Sequence, residues 1–203
     1  MRGKKILYII LTVLHRKNVK GGGLLVYDPR LTHFVFGKDA EIILNGDLQI
    51  GANSFGNNGR SNIVRIDQGG QMTVDGHFKL MYGADVIVFK GGHLRCGKNS
   101  FINSDCKVRC HKAISIGEGC KISHDLTLMD SDAHHLEGDN HTSEVIIEDH
   151  VWIASRVTVL SGTRIGAGSV VATGSVVRGT FPPCSLIGGT PARIIRSNVV
   201  WSD

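Results

Sequence analysis

Several kinds of residue are scarce in this sequence, and each scarcity excludes a class of protein. Aromatic residues make up 6% of the 203 residues, so a core built from large rings is not expected. No run of five or more lysines and arginines occurs, which argues against a nucleic-acid partner even though the formal charge is +5. Charged residues account for 20% of the chain, too ordinary a share for a disordered protein.

The number and spacing of the cysteines do not indicate a disulfide framework. The chain has five, an odd number, and no two are spaced as CxxC: Cys96, Cys106, Cys110, Cys120 and Cys184. Disulfide-stabilised domains and cysteine-ligated zinc sites need paired or clustered cysteines. We therefore interpret the five as reduced, mostly packed thiols of a cytoplasmic protein, and we expect no bound metal.

Long hydrophobic runs are absent as well. The most apolar stretch, residues 6–14, has nine residues between basic flanks, whereas a membrane-spanning helix needs about 20. No small-residue cleavage site follows it, so a signal peptide is not predicted. Two alternatives remain for this stretch: it packs on the body or a subunit interface, or it rests on the anionic inner face of a membrane as a peripheral contact.

What the sequence does contain is a strict six-residue repeat, rich in glycine between its apolar positions. An aliphatic residue recurs every six positions at Ile147, Ile153, Val159, Ile165, Val171 and Val177. Four positions after each comes a residue that is small or β-branched except the last: Val151, Val157, Thr163, Ser169, Ser175 and Phe181. Such a unit fits one short strand and a turn, and three units close a triangular coil of about 18 residues. The repeat predicts a β-solenoid.

The same frame continues upstream and is then interrupted. It appears in three further sets: Val74, Leu80 and Val86; Cys96, Ile102 and Val108; Ile116, Ile122 and Leu128. From Ile116 to Ile147 the step is 31 residues, which leaves thirteen residues more than one coil needs. The surplus coincides with MDSDAHHLEGDNHTSE, so we expect residues 130–144 to project from a corner of the solenoid as a functional loop.

The stretches VWIASRVTVLSGTRIGAGSVVATGSVV and PPCSLIGGTPARIIR resemble the hexapeptide acyltransferases, similar to galactoside, maltose and serine acetyltransferases and polysaccharide O-acetyltransferases. The resemblance covers residues 74–196. It implies an all-β fold, a left-handed parallel β-helix, in a homotrimer that uses acetyl-CoA. On this basis residues 1–40 are a lead-in, residues 41–190 the β-helix domain and residues 191–203 a C-terminal tail, predicted as a short helix or strand.

The resemblance also implies a catalytic base on the projecting loop. Transfer from a thioester to a hydroxyl needs a group that takes the hydroxyl proton, and imidazole suits neutral pH. The family commonly has a D-x-H pattern there, which Asp132 and His134 match, with His135 as the weaker alternative. Asp132 is the expected orienting carboxylate.

A slot for acetyl-CoA is expected along a prism edge where side chains are small. The candidate residues for its pantetheine arm are Ala154, Ser155, Ala172 and Thr173, and an amide near Ala154 is the expected oxyanion donor. Arg178 and Arg193 match family positions near the nucleotide phosphates. Asn103, Asp105 and His124 are the expected contacts of a sugar acceptor, with Phe101 and Tyr82 as candidate ring contacts.

The sequence therefore predicts an acetyl-CoA-dependent O-acetyltransferase acting on a sugar hydroxyl, in surface polysaccharide (capsule or O-antigen) biosynthesis, by direct transfer. Two alternatives stay open, namely a sugar N-acetyltransferase of the same fold and a non-catalytic structural β-helix. A catalytic zinc with ligands among His111, His124, His134 and His135 is not favoured. The related zinc enzymes use a pair of histidines with four residues between them, a spacing that this sequence lacks.

Overall fold

The computed structural model describes residues 17–52, 60–136 and 139–202, and within these ranges the regular structure consists of β-strands alone. The apolar stretch at residues 6–14 lies outside the described residues. In the described ranges no helix is long and apolar enough to cross a membrane.

The strands form three parallel sheets, which we name A, B and C. Sheet A contains β1 (Val19–Gly21), β4 (Glu41–Leu44), β7 (Gln71–Val74), β10 (His93–Cys96), β13 (Ala113–Ile116), β18 (Val145–Ile147), β21 (Arg164–Ile165) and β24 (Thr180–Phe181). Sheet B contains β2 (Leu25–Val26), β5 (Leu48–Ala52), β8 (Phe78–Met81), β11 (Ser100–Ile102), β14 (Lys121–Ile122), β19 (Trp152–Ile153), β22 (Val170–Val171), β25 (Leu186–Gly189) and β26 (Ala192–Arg196). Sheet C contains β3 (Thr32–Phe36), β6 (Asn62–Ile66), β9 (Asp85–Val88), β12 (Lys107–Cys110), β15 (Thr127–Met129), β20 (Thr158–Val159) and β23 (Val176–Val177).

The chain visits sheets A, B and C in turn, so each circuit is one coil of a triangular prism. This arrangement is the predicted left-handed parallel β-helix, and the fold prediction is confirmed. The prism has three edges, which we call A–B, B–C and C–A after the sheets that meet there. Two pairings depart from the parallel pattern: β26 runs antiparallel to β25, and a hairpin of β16 (His135–Leu136) and β17 (Asp139–Asn140) stands apart from the sheets.

The predicted six-residue frame is the core of the prism. Val74, Cys96, Ile116, Ile147 and Ile165 lie opposite one another on successive strands of sheet A. The aliphatic positions of the predicted frame are buried throughout, as are their equivalents in sheets B and C. Because a single coil could not enclose this row of side chains, stacking on the next coil is what removes them from water.

Two details differ from the sequence prediction. Phe181 was placed four positions after Val177 in the repeat, but it lies on β24 opposite Ile165 in sheet A, because the last circuit takes two residues fewer than the one before it. The coils also begin upstream of the predicted boundary at residue 41, since β1, β2 and β3 pair in parallel with the strands of the next coil. Residues 19–36 therefore belong to the prism.

Candidate active site

Residues that were predicted to bind the sugar acceptor and residues that were predicted to bind acetyl-CoA lie together at the B–C edge. Each turn from sheet B to sheet C stacks on the turn of the next coil, because the strands on both sides are in register. The turns at this edge contain the three predicted acceptor residues and the four predicted residues of the pantetheine slot: Asn103, Asp105, His124, Ala154, Ser155, Ala172 and Thr173. These seven residues thus form one column along the prism.

Backbone hydrogen bonds connect the stacked turns of this column. The Asp125 N–H donates to the carbonyl of Ser104 (3.0 Å), and the Arg156 N–H donates to the carbonyl of His124 (2.9 Å). Asp105, Asp125 and Arg156 have φ values of 62°, 57° and 58°, in the left-handed region that side chains other than glycine seldom adopt. Turns at the A–B edge have the same conformation, with φ of 57° at Asn99 and 54° at His150, so it is a feature of the coil turns in general.

We call the part of the column nearer the N-terminus its lower part and the part nearer the C-terminus its upper part. The lower part borders a groove of about 320 Å³ that is lined by several charged side chains. Asp105 forms an ion pair with Arg60, and Asp85 forms one with Arg109 at 2.6 Å. Asp125 lines the same groove. Carboxylates that are anchored in this way can accept hydrogen bonds from the hydroxyl groups of a sugar. Arg60 was not predicted, since residue 60 is far from residue 105 in sequence.

The ring of His124 is held in place by a neighbouring coil. Its Nδ1 lies 3.0 Å from Oγ of Ser104, a buried serine. The N–H of Ser104 in turn donates to Oδ1 of Asn103 (2.8 Å). The contact fixes the ring orientation of an otherwise exposed side chain. Sequence reasoning selected Asn103 and His124 but missed Ser104, whose role depends on stacking of two coils.

The upper part of the column has the small side chains expected for a narrow slot. The N–H groups of Ala154 and Ala172 donate to Val171 and Ile187 in the next coil, at 2.9 and 2.8 Å. Because the N–H of Ala154 already has a partner within the chain, it is not a vacant oxyanion donor. A donor in this turn would therefore have to be the amide of a neighbouring residue.

The two predicted phosphate-binding arginines lie at different edges. Arg193 is on β26 opposite Gly188, at the upper end of the B–C edge, and its guanidinium donates to the carbonyl of Ala192 (2.8 Å). Arg178 lies in the turn between β23 and β24, at the C–A edge. There its guanidinium is 3.9 Å from the carboxylate of Asp132.

The C–A edge carries the interruption predicted at residues 130–144. The extra residues lie between β15 and β18, and they contain the β16–β17 hairpin. His134 is exposed on this loop, and the side chain of His135 lies outside what the structure describes. Within the described part of the chain, no hydrogen bond joins Asp132 to His134. The geometry thus gives Asp132 the guanidinium of Arg178 as its partner, in place of the imidazole that the sequence suggested.

Asp130 corrects the prediction for the start of this loop. It was counted among the projecting residues, yet it is fully buried. Its carboxylate accepts hydrogen bonds from the backbone N–H groups of His111, Lys112 and Ala113, at 2.6, 2.7 and 2.7 Å. A buried carboxylate is tolerated only with such partners, and these belong to the preceding coil. Asp130 is therefore an anchor for the loop.

The two candidate regions do not meet within one chain. Sheet C separates them, and its strand runs from the turn at Asp125 to the loop anchor at Asp130. Five residues of extended chain span roughly 16 Å at about 3.3 Å per residue. The predicted base and the predicted acceptor residues therefore lie on neighbouring edges of the prism.

The cysteines give no support to a covalent mechanism. Cys106, Cys110 and Cys120 are buried, and burial raises the pKa of Cys106 and Cys110 to about 12 and that of Cys120 to about 11. A thiol must lose its proton to act as a nucleophile, so these three are poor nucleophiles near neutral pH. Cys184 is the exposed cysteine. In the described ranges no group of three or more His, Cys, Asp or Glu side chains is placed to hold a metal ion.

Comparison with known proteins connects this geometry with a family. The family model "Bacterial transferase hexapeptide (six repeats)" matches residues 144–179. A protein of Escherichia coli strain K12 named "Putative lipopolysaccharide biosynthesis O-acetyl transferase WbbJ" is 31% identical over 194 residues, covering 93% of this chain and 94% of the relative.

Other relatives match over a shorter part of their length. The polysialic acid O-acetyltransferase of Escherichia coli O1:K1 is 27% identical over 125 residues, and the galactoside O-acetyltransferase of Escherichia coli strain K12 is 30% identical over 111 residues. These matches cover 58% and 52% of this chain, and 41% and 55% of the respective relatives. The chain thus spans about half the length of these two relatives.

Among solved structures, the polySia-specific acetyltransferase NeuO superposes with a TM-score of 0.69 at 23% identity, covering 92% of this chain and 88% of NeuO. The polysialic acid O-acetyltransferase OatWY gives a TM-score of 0.58 at 22% identity, covering 92% and 90% of the two chains. At these identities the likeness establishes the fold. Together with the similarity to WbbJ over nearly the whole length, it shows that this chain belongs to the hexapeptide-repeat acetyltransferases.

Proposed function

We propose that this protein transfers an acetyl group from acetyl-CoA to a sugar hydroxyl, in the biosynthesis of a bacterial surface polysaccharide such as capsule or O-antigen. The similarity to WbbJ over 93% of the chain supports this reaction class. The observation that carries the proposal is the column of seven predicted ligand residues on the B–C edge, next to an edge that bears an imidazole on a projecting loop.

In this mechanism the thioester lies along the small residues of the B–C edge, and the acceptor sugar lies in the groove below it. The residues that would hold the pantetheine arm are Ala154, Ser155, Ala172 and Thr173, with Arg193 near the phosphates. Acetyl-CoA supplies the activated acyl group. His134 takes the proton of the acceptor hydroxyl, and the hydroxyl oxygen bonds to the thioester carbonyl carbon. The carbon–sulfur bond then breaks, and the protonated imidazole returns its proton to the thiolate.

The site requires a second copy of the chain. A threefold arrangement with sheet C facing the axis would bring the C–A edge of one copy against the B–C edge of the next. The outer face of sheet C has apolar side chains that favour such contact, since Val35 and Ile63 are 52% and 41% exposed. Half-buried apolar side chains continue along the same face: Ile87, Met129, Leu160 and Val176. We therefore propose a homotrimer with three composite sites.

A subunit-mixing experiment tests the proposal. His134→Ala removes the base, and Ala154→Phe fills the slot on the other edge, so each variant alone should be inactive. Co-expression with two different tags, followed by two-tag purification, yields trimers that contain both variants. In each of them one of the three junctions pairs an intact loop with an intact B–C edge, so about one third of wild-type turnover is expected.

The outcomes separate the components of the proposal. Inactive mixed trimers would show that loop and edge do not act across a junction. Retained activity in the His134→Ala homotrimer would remove this residue as the base. Turnover of amino sugars without turnover of plain sugars would identify an N-acetyltransferase instead.

A further inference from the structure

The projecting loop is held at its downstream end as firmly as at its upstream end. Upstream, the carboxylate of Asp130 is anchored by the preceding coil, as described above. Downstream, Oγ of Ser161 donates to the carbonyl of His141 at 2.5 Å and accepts from the N–H of Ser143 at 2.9 Å. Ser161 belongs to the following coil and is buried. The loop is thus fastened to the coils on both sides of it.

Further bonds close the base of the loop on itself. The N–H of Ser143 also donates to the carbonyl of Asp130 (3.0 Å), and the hydroxyl groups of Ser131 and Thr142 are 2.7 Å apart. The N–H of Ala133 donates to Oγ of Ser131 (3.0 Å), with φ of Ala133 at 61°. The residue immediately before His134 is therefore held in a left-handed conformation by a bonded neighbour.

This amount of fixation exceeds what a solvated surface loop requires. A loop without a fixed task can leave its polar groups to water, whereas here two buried side chains are used to hold its ends. Catalysis offers a physical reason, because a base displaced by about 1 Å can lose on the order of 100-fold in rate. In the proposed trimer the imidazole must also meet an edge that belongs to another chain.

We propose that Asp130 and Ser161 are positioning residues that hold His134 at a fixed height against the B–C edge of the neighbouring copy. The two anchors hold the ends of the loop and thereby set where the proton is taken. This inference rests on the proposed function, since it assigns to His134 the role of the base.

The chain provides a matched control for Ser161. Ser100 is also buried, and its Oγ also bridges two coils, donating to the carbonyl of Gly117 and accepting from the N–H of Cys120, both at 2.8 Å. It lies at the start of β11, next to the A–B edge and away from the loop. Ser161→Ala and Ser100→Ala therefore remove the same kind of bridge at two different edges.

We expect both variants to lower the thermal midpoint by similar amounts, because each loses two hydrogen bonds of a buried hydroxyl. Ser161→Ala should also lower kcat about tenfold with unchanged KM for acetyl-CoA, as expected for a misplaced base. Ser100→Ala should leave kcat unchanged. Hydrogen exchange should become faster at residues 131–142 in Ser161→Ala alone.

Equal kcat values in the two serine variants would overturn the inference, as would unchanged exchange in the loop of Ser161→Ala. Asp130→Asn provides a second variant, since its amide group would face N–H donors, and it should lower kcat further than Ser161→Ala does. Should Asp130→Asn not fold, the serine pair decides. His134→Ala, assayed in parallel, separates the two proposals: if it keeps full turnover, the proposed function fails, and if it is inactive while the serine pair is equal, only the positioning role fails.

Discussion

The B–C edge and the C–A edge belong to the same prism, but the chain turns at them in different ways. At the B–C edge the turns between strands are short in each coil from Gly83 to Gly174, and each is bonded to its neighbour. At the C–A edge one turn expands into a loop with its own hairpin. The B–C edge has a continuous column of turn residues that a ligand could contact. At the C–A edge, by contrast, the loop places the side chain of His134 away from the sheets. If the proposed function is correct, the repeat of this fold provides the binding surface and the interruption of the repeat provides the reactive group.

We expect the largest effect of a mutation on kcat at the C–A edge. His134→Ala should lower kcat by about 100-fold to 10,000-fold, the range typical of a lost general base, with little change in thermal midpoint because the side chain is exposed. Steady-state kinetics and a thermal melt measure both. His93→Ala, an exposed histidine on sheet A, serves as the control. If turnover persists when His135 is replaced as well, the base is not on this loop.

A smaller effect is expected at the upper end of the B–C edge. Arg193→Ala should raise KM for acetyl-CoA about tenfold, because a charge-assisted hydrogen bond to a phosphate contributes about 1.5–3 kcal/mol. Arg196→Ala is the matched control, since Arg196 lies on the same strand opposite Leu186. Equal KM values for the two variants would place the nucleotide elsewhere. With a coenzyme analogue that lacks the 3′-phosphate, the difference between the variants should shrink if that phosphate is the contact.

Arg178 tests whether the two edges cooperate. Arg178 has the carboxylate of Asp132 on the loop as its partner. Removing the Arg178 side chain can therefore change activity through the loop or through the coenzyme of a neighbouring copy. Arg178→Ala should raise KM for acetyl-CoA, but by less than Arg193→Ala does. A double-mutant cycle with Asp132→Ala measures the alternative: strongly non-additive kcat values at constant KM would assign Arg178 to the loop alone.

The smallest effect concerns stability, and we expect it to be similar at the two edges. Cys106 immediately precedes β12 at the B–C edge, Cys110 ends β12 at the C–A edge, and burial raises the pKa of both thiols from 9.0 to about 12. The native state therefore keeps these protons at a pH where the unfolded chain has released them. These thiols leave the free energy of unfolding unchanged below about pH 9, and they lower it as the pH rises from 9 towards 12.

At pH 10 each of these thiols should cost about 1 kcal/mol of the free energy of unfolding. Urea unfolding at pH 7.5 and pH 10 measures this cost in the parent chain, in Cys106→Ala and in Cys110→Ala. Each variant is less stable at pH 7.5 because of its cavity, but its decline towards pH 10 should be smaller by that amount. Parallel declines in all three chains would show that other groups determine the alkaline sensitivity.

The repeat frame was predictable because it depends on local counting. The positions from Ile147 to Val177 could be identified as inward-facing from their spacing, and their burial confirms this. The same counting missed that Phe181 lies on a strand, because the shorter last circuit places it opposite Ile165 on sheet A. It also missed the first coil, since β3 and β6 are 30 residues apart in register, and a step of that length conceals a period of about 18.

The candidate site was predictable in its residue types more than in its partners. His134 and the small residues of the B–C edge were selected from the sequence, and their roles stay predictions. Asp130 was placed in the projecting loop because it begins the stretch that exceeds one coil. Its actual partners are three backbone N–H groups of another coil, and no sequence pattern marks them.

By itself, the sequence determined that this chain stacks short strands into a prism and where the prism is interrupted, because an apolar side chain every six residues can leave water only in that way. The tertiary structure decided which groups share an edge and which side chains anchor the loop. These are contacts between coils, and their distance along the chain depends on the length of each turn. A circuit that is two residues shorter brings Phe181 into register with Ile165, so the contacts become visible only when the coils are stacked.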